Sequence, residues 1–394
     1  MKILLVVADL GLGGAQQIVV HLANGLVNVK NEVYVLDVYP YLRKREITSQ
    51  LNEKVNLISP RLTFFSKLYL KVCDPLFKAL NINKRLNYSW QEKQQTKQLK
   101  SLDKERQVDV INSHVWWADK LVYDVLGKPC AKWVLTMHGS YRYCLSHPQE
   151  FPSFKDAAEN VLATADGCIY ISEQNKDLLD NFESFKKLPS KKIWNGIPKP
   201  ISTYFTRKEL NLPESAFIIF CASRAIKEKG WEELCEAFIQ TNIPNGYLLF
   251  AGEGPDLAYF KEKYADLPII QFLGFTNQVS QYIYISDICA LPTYYQGEEL
   301  PTFIIEAMAQ GKPILGTDLG EIREMITLEE KIGGKIIPLH NGKSNISDIK
   351  NSLTEMAQDQ HLLEKCADIS FQRSTYFELK EMVKNYIQFF NNLN

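Results

Sequence analysis

Short, uninterrupted apolar runs recur along the chain, each ending in a polar or glycine-bearing break and followed by apolar residues at helical spacing. Lys2–Val7 is the first such run, the pattern of a strand buried on both faces of a parallel sheet. The glycine loop Asp9–Gly14 follows. Ala15–Val29 then carries Ile18, Leu22, Leu26 and Val29 on one helical face. Val33–Val38 predicts a second strand. Val108–Asn112, Trp133–Met137 and Gly167–Ile171 predict three more, the first two leading into His114 and His138. Ser172 before Glu173 and Gln174 predicts a helix N-cap. The alternation then restarts, with strands predicted at Phe217–Ala222, Tyr247–Ala251, Phe272–Phe275, 285–291 and Ile314–Gly316, and a helix carrying Leu234, Ala237 and Phe238. Phe371–Leu393 predicts a closing amphipathic helix through Leu379, Met382, Val383, Tyr386, Ile387 and Phe390. Two βα-repeating halves of this kind predict an α/β protein of two Rossmann-like domains with parallel sheets. The expected boundary is a proline-stiffened linker at 196–202, giving domains at 1–199 and 200–373.

Composition is consistent with this picture and narrows it. The 394 residues suffice for two domains, and 45% hydrophobic with 23% charged residues is an ordinary globular balance. The eight cysteines are scattered without a CxxC pair, as expected of small core residues in a reducing compartment. The apolar run at the N-terminus stops at Ala8 and Asp9, too short for a signal peptide, so a cytoplasmic location is expected. A net charge of −1 hides an asymmetry: residues 1–199 hold 28 Lys+Arg against 20 Asp+Glu, and the remainder 17 against 26. A basic and an acidic half suggest two domains facing different partners; nucleic acid is not expected among them.

The candidate chemistry concentrates at Leu291–Gly311, LPTYYQGEELPTFIIEAMAQG. A strand breaks at Pro292, and a carboxylate-rich loop leads to a helix beginning at Pro301, which has no amide hydrogen to leave unpaired. Phe303, Ile304, Ala307 and Met308 form its core-facing stripe, and Gly311 with Pro313 ends it. The free amides of Thr302 and Phe303 and the helix dipole at the end marked by Pro301 suit an anion such as a phosphate. Glu298 in the loop and Glu306 on the helix could then reach groups on either side of it. In SRAIKEKGWEEL, Arg224 and Lys229 stand after a strand, where a guanidinium fork and a point charge would clamp a diphosphate. The N-terminal GLGGAQ is a poor dinucleotide fingerprint, because Gln16 occupies the third glycine position of GxGxxG. Gly11 there could also serve only to turn the chain with a positive φ.

EELPTFIIEAMAQGKPILGTDLGEIREMI, from Glu298, resembles the signature of the retaining glycosyltransferases of family 4, in which two glutamates separated by seven residues flank such a helix. The resemblance extends to GGAQ, to the His138 of TMHGS, and to Arg224 and Lys229. It departs at Pro198, where the family has aspartate, and at Gly320–Glu321, where it has a glycine pair. It implies a GT-B architecture, two Rossmann-like lobes with a cleft between them and a C-terminal helix, about 374–394, crossing back to the first. It also implies transfer of a sugar from a nucleotide-diphospho-sugar to a glycan or lipid-linked acceptor, as in bacterial surface-polysaccharide synthesis. Gly13 and Gly14 would let the backbone approach the donor pyrophosphate or the acceptor, and His138 would contact the sugar. Glu298 would hold sugar hydroxyls, Glu306 the ribose, and Arg224 and Lys229 the diphosphate. No Asp-X-Asp occurs, so no metal and no further cofactor are expected. A non-catalytic sugar-nucleotide-binding subunit and a GT-B epimerase are the alternatives.

Residues 61–100 hold nine basic residues, among them Lys67, Lys71, Lys78 and Lys84, against Asp74 and Glu92, interleaved with Phe64, Phe65, Tyr69 and Phe77. This is the pattern of a segment lying on an anionic membrane surface, or of an ordinary surface helix.

Overall fold

The computed structural model describes residues 1–59, 85–104, 108–200, 205–210 and 212–393. The chain divides into two compact units, Met1–Ile193 with Met382–Asn394, and Trp194–Glu381.

In the first unit the apolar runs become β1 (Lys2–Val7), β2 (Glu32–Asp37), β3 (Asn56–Leu57), β4 (Val110–His114), β5 (Lys132–Met137), β6 (Gly167–Tyr170) and β7 (Ser190–Lys192). They form one sheet in the order β3-β2-β1-β4-β5-β6-β7, parallel throughout. Ile3–Val7 are buried without alternation, because helices cover both faces. The helix Gly14–Asn28 buries Ile18, Leu22 and Leu26, whereas Val29 falls past its end and is exposed. The winding reverses between β1 and β4. Beyond the carboxyl ends of such a pair lies the crevice where open α/β sheets take ligands.

The second unit repeats the design with β8 (Phe217–Ala222), β9 (Gly246–Ala251), β10 (Ile270–Gly274), β11 (Ile288–Leu291) and β12 (Ile314–Thr317). A hairpin of β13 (Thr327–Leu328) and β14 (Lys331–Ile332) precedes β15 (Gly334–Ile337). The order β10-β9-β8-β11-β12-β15 is again parallel, and it reverses between β8 and β11. Buried Trp231 packs on Phe250 with ring centroids 4.7 Å apart, and its indole N–H donates to Ser223 Oγ at 2.8 Å.

Two expected boundaries move. Ile285 closes the helix Val279–Ile285 rather than opening a strand. Asp287 sits at the junction: its N–H donates to Ile218 O and its carboxylate accepts from Ile218 N and Arg207, so pairing starts only at Ile288. Phe371 belongs to the helix Gln360–Ser374, and the closing helix is Leu379–Asn392. The break falls where Glu378 pairs with Ile197, since Ile197 donates to Phe377 O and Leu379 N donates back to Ile197 O. From Met382 on, the closing helix packs within the first unit. Tyr386, Phe389 and Phe390 are buried there, and Lys191 Nζ donates to Asn385 Oδ1 at 2.9 Å.

Of the basic segment at 61–100, residues 61–84 lie outside the described residues. Among the described residues no helix is long and apolar enough to cross a membrane. Six of the seven described cysteines are buried, and burial pushes the thiols of Cys144 and Cys221 up to about 12, as suits core residues.

Candidate functional sites

Each unit carries a cluster beyond the strand ends at its winding reversal. In the second unit, the loop after β8 brings Arg224 and Lys229, and the loop after β11 brings Tyr295 and Glu298. Lys229 Nζ forms an ion pair with a Glu298 carboxylate oxygen, and only 12% and 11% of the two side chains are exposed. The Tyr295 ring lies beneath both cations, its centroid 5.0 Å from Lys229 Nζ and 5.7 Å from the Arg224 guanidinium carbon. Arg224 is exposed, and among the described residues it makes no ion pair. The two residues expected at a diphosphate therefore meet on one aromatic ring, Lys229 paired with the Glu298 expected at the sugar and Arg224 unneutralised among the described residues.

The loops are locked together through their backbones. Tyr294 N–H donates to Glu228 O at 2.7 Å. Gly230 has φ +73, and a Cβ there would collide with the Pro292 carbonyl. Gly320 has φ +57 and lies against the carbonyls of Glu298 and Glu299, where no side chain fits. Glu321, by contrast, has φ −94, and its N–H donates to Glu299 O at 2.9 Å. That explains why a glycine is not needed at the second position of this pair.

Pro301 is the N-cap rather than the first residue of the helix Thr302–Ala309, with φ −65 and ψ 118. Among the described residues no side chain caps this end, so the amides of Thr302 and Phe303 remain available to an anion. Phe303, Ile304, Ala307 and Met308 are buried as their spacing predicts. Gly311, at φ +64, ends the helix. Glu306 is half-buried at the surface, but its carboxyl is walled by protein, and burial pushes it up to about 7.

In the first unit, Gly13 is the N-cap of the helix Gly14–Asn28 in extended backbone, φ 176, and no side chain caps that end either. Gly11 does not adopt a positive φ, contrary to the turn expected there. It serves close approach instead: its N–H donates to Asp9 Oδ1 at 2.7 Å, an oxygen that also accepts from Gln16 Nε2 at 3.1 Å.

His138 follows β5 and His114 ends β4. The rings meet edge to edge, 21° from coplanar with centroids 5.3 Å apart, and His114 Nδ1 lies 3.0 Å from His138 Nε2. His114 is fully buried and His138 partly exposed. Burial pushes His138 down to about 4, and burial together with His138 holds His114 well below the usual histidine range, so both are neutral near pH 7. The next residue, Val115, has φ 67 and ψ 155. That is a region nearly reserved for glycine, and holding a β-branched residue in it costs about 1–3 kcal/mol. The turn is pinned by Val115 N–H to Thr136 O at 3.3 Å and Trp116 N–H to Ser140 Oγ at 2.9 Å.

Sequence reasoning placed the candidates at strand ends, in the loops that follow them and on the helix after Pro301, but missed three partnerships. Tyr295 stands beside Tyr294 in a polar loop, the only signal it offers. His114 reads as a core histidine until its bond to His138 is seen. The Lys229–Glu298 pair joins residues 69 positions apart.

Comparison with known proteins bears on both units. The family model described as Glycosyltransferase Family 4 matches residues 12–199, and that described as Glycosyl transferases group 1 matches residues 203–373. An N-acetyl-alpha-D-glucosaminyl L-malate synthase of Bacillus anthracis is 31% identical over 145 residues, 34% of this chain and 37% of that protein. A lipopolysaccharide 1,2-N-acetylglucosaminetransferase of Salmonella typhimurium is 24% identical over 198 residues, 46% of this chain and 51% of that protein. The matched stretches thus span about half the length of these curated relatives or less. The Anabaena protein HepE, solved in complex with UDP-glucose, superimposes over 100% of both chains with a TM-score of 0.74 at 17% identity, which establishes the GT-B fold. Through both of its halves, the chain belongs to the family 4, group 1 glycosyltransferases.

Proposed function

We propose that the chain is a retaining glycosyltransferase that moves a sugar from a nucleotide-diphospho-sugar to a glycan or lipid-linked acceptor of a bacterial surface polysaccharide. The observation that carries this reading is the cluster at the β8–β11 reversal, in which Arg224 and Lys229 converge on Tyr295, with Glu298 paired to Lys229, ahead of an uncapped helix. A diphosphate would draw Lys229 from Glu298, take Arg224 as its second cation, and accept from the amides of Thr302 and Phe303. Glu298, released from its lysine, would then be a free acceptor for sugar hydroxyls, while Glu306 takes the ribose.

In the transfer, the bond from the anomeric carbon to the phosphate oxygen breaks and a bond to the acceptor oxygen forms on the same face. The acceptor's proton passes to the departing phosphate. Arg224 and Lys229 stabilise the charge that develops there. His138, neutral near pH 7, contributes a hydrogen bond to the sugar. The name of the Salmonella relative, a lipopolysaccharide glycosyltransferase, supports a surface-glycan acceptor. The basic, aromatic pattern of residues 61–100 supports docking on an anionic membrane from the cytoplasmic side.

A thermal-shift screen of UDP-, GDP- and ADP-sugars tests the reading. A true donor at 100 times its Kd stabilises the chain by about 2.7 kcal/mol. No shift with any of them would count against it.

A further inference from the structure

We propose that His114 is a positioning residue: its Nδ1–H donates to His138 Nε2 and fixes His138 as the tautomer that presents Nδ1–H to the substrate. The rings share a single hydrogen across 3.0 Å, so two arrangements exist. In one, His114 carries its hydrogen on Nδ1, and its Nε2 is a bare lone pair. In the other, His138 donates from Nε2, and His114 must carry its hydrogen on Nε2. His114 Nε2 is buried with no hydrogen-bond partner among the described residues. A buried N–H without an acceptor is a rarer and costlier defect than an unsatisfied lone pair. The first arrangement is therefore the stable one, and it leaves His138 Nδ1–H as the donor on its partly exposed ring.

A second observation concerns the backbone. The chain leaves β4 through Val115 in a conformation that β-branched residues rarely adopt, held by Trp116 N–H to Ser140 Oγ at 2.9 Å at the start of the helix after β5. Strain of this kind persists where the surroundings over-determine it. Here it orients the residue directly after His114 and ties the β4 and β5 loops in one register. Burial keeps both rings neutral, so the pair supplies an oriented hydrogen-bond donor rather than a proton acceptor.

The inference takes from the proposed function only the identity of what His138 touches; the tautomer stands apart from it. In the whole chain labelled with 15N-histidine, nitrogen shifts between pH 6 and 8 are expected to show His138 protonated on Nδ1 and bare on Nε2. In His114→Asn the amide nitrogen replaces Nδ1 as donor, so the tautomer should be kept. His114→Phe fills the space without a donor and should release it. Transfer kcat/KM is expected to fall about tenfold or more in His114→Phe, equivalent to about 1.4 kcal/mol, and to recover in His114→Asn. Affinity for free nucleoside diphosphate should be unchanged in both variants. A wild-type His138 protonated on Nε2, or a folded His114→Phe with wild-type turnover, overturns the proposal. If His114→Phe does not fold, the wild-type tautomer and His114→Asn decide it. If the chain transfers no sugar at all, the proposed function fails, and the nitrogen shifts still decide the tautomer.

Discussion

Glu306 offers a prediction whose size follows from its surroundings. Its carboxyl is pushed from 4.5 to about 7 by burial, yet a carboxylate accepts hydrogen bonds from ribose hydroxyls best when ionised. At pH 6 about a tenth of the molecules carry the ionised form, and at pH 8 about nine-tenths. Sugar-nucleotide affinity should therefore rise about tenfold over this range, or about 1.4 kcal/mol, and level off above it. A sugar nucleotide is the proper probe, because both its phosphates are ionised throughout, whereas a free nucleoside diphosphate titrates nearby. His138, at about 4, does not titrate in this window. Calorimetry at pH 6, 7 and 8 in buffers of differing ionisation enthalpy should show the rise together with release of up to one proton on binding. Glu306→Gln should bind more weakly at pH 8 and lose the pH dependence. The same shift sets a stability trend. The native carboxyl keeps its proton above pH 4.5, where the unfolded one has lost it, so this contribution is complete below 4.5 and declines as pH rises through 7. The decline is at most on the order of 3 kcal/mol, and Glu306→Gln should escape it. An affinity flat from pH 6 to 8 in the wild type would refute a ribose-binding role for an ionised Glu306.

Other consequences are equally open to measurement. Glu298→Gln removes the competitor for Lys229, so free nucleoside diphosphate should bind at least as tightly as to the wild type while sugar transfer falls. Weaker nucleotide binding in calorimetry would exclude this division of labour. Because Arg224, Lys229 and helix amides carry the proposed diphosphate site, transfer should persist in excess EDTA; loss restored by a divalent ion would show that a metal shares the charge. Changing Lys67, Lys71, Lys78 and Lys84 together to Glu should abolish co-sedimentation with anionic vesicles and spare donor hydrolysis, each lysine contributing up to about 1 kcal/mol at low salt. Equal binding to neutral vesicles would argue for a soluble acceptor.

What the sequence makes legible here follows from how each feature is encoded. Continuous apolar runs mark strands covered on both faces, and Lys2–Val7 and Phe217–Ala222 have the bounds their runs predict. Helix ends without glycine or proline were less visible. Ile285 reads in phase with the following strand, yet the Asp287 contacts hold it in a helix, and the break before Leu379 is set by pairing with Ile197, far away in sequence. At the cluster proposed for the donor, residue types and spacing made Arg224, Lys229, Glu298 and Glu306 candidates, and the family resemblance supplied the roles expected of them. Their partners are tertiary facts: a tyrosine ring beneath two cations, and an ion pair between loops on neighbouring strands. The role proposed for His114 was hidden for the same reason, since buried histidines are usually structural and only the bond to His138 distinguishes this one.

The most direct test is nucleoside diphosphate release. Purified chain should be incubated with each candidate sugar nucleotide, with and without surface-glycan acceptors, and compared with Arg224→Ala and Lys229→Ala. One donor should yield diphosphate, with kcat/KM reduced about 10- to 100-fold in either variant, corresponding to charge-assisted hydrogen bonds of about 1.5–3 kcal/mol. Turnover equal to wild type in both folded variants would contradict the placement of the diphosphate at the β8–β11 reversal. Neither binding nor release with any sugar nucleotide would contradict the assigned activity.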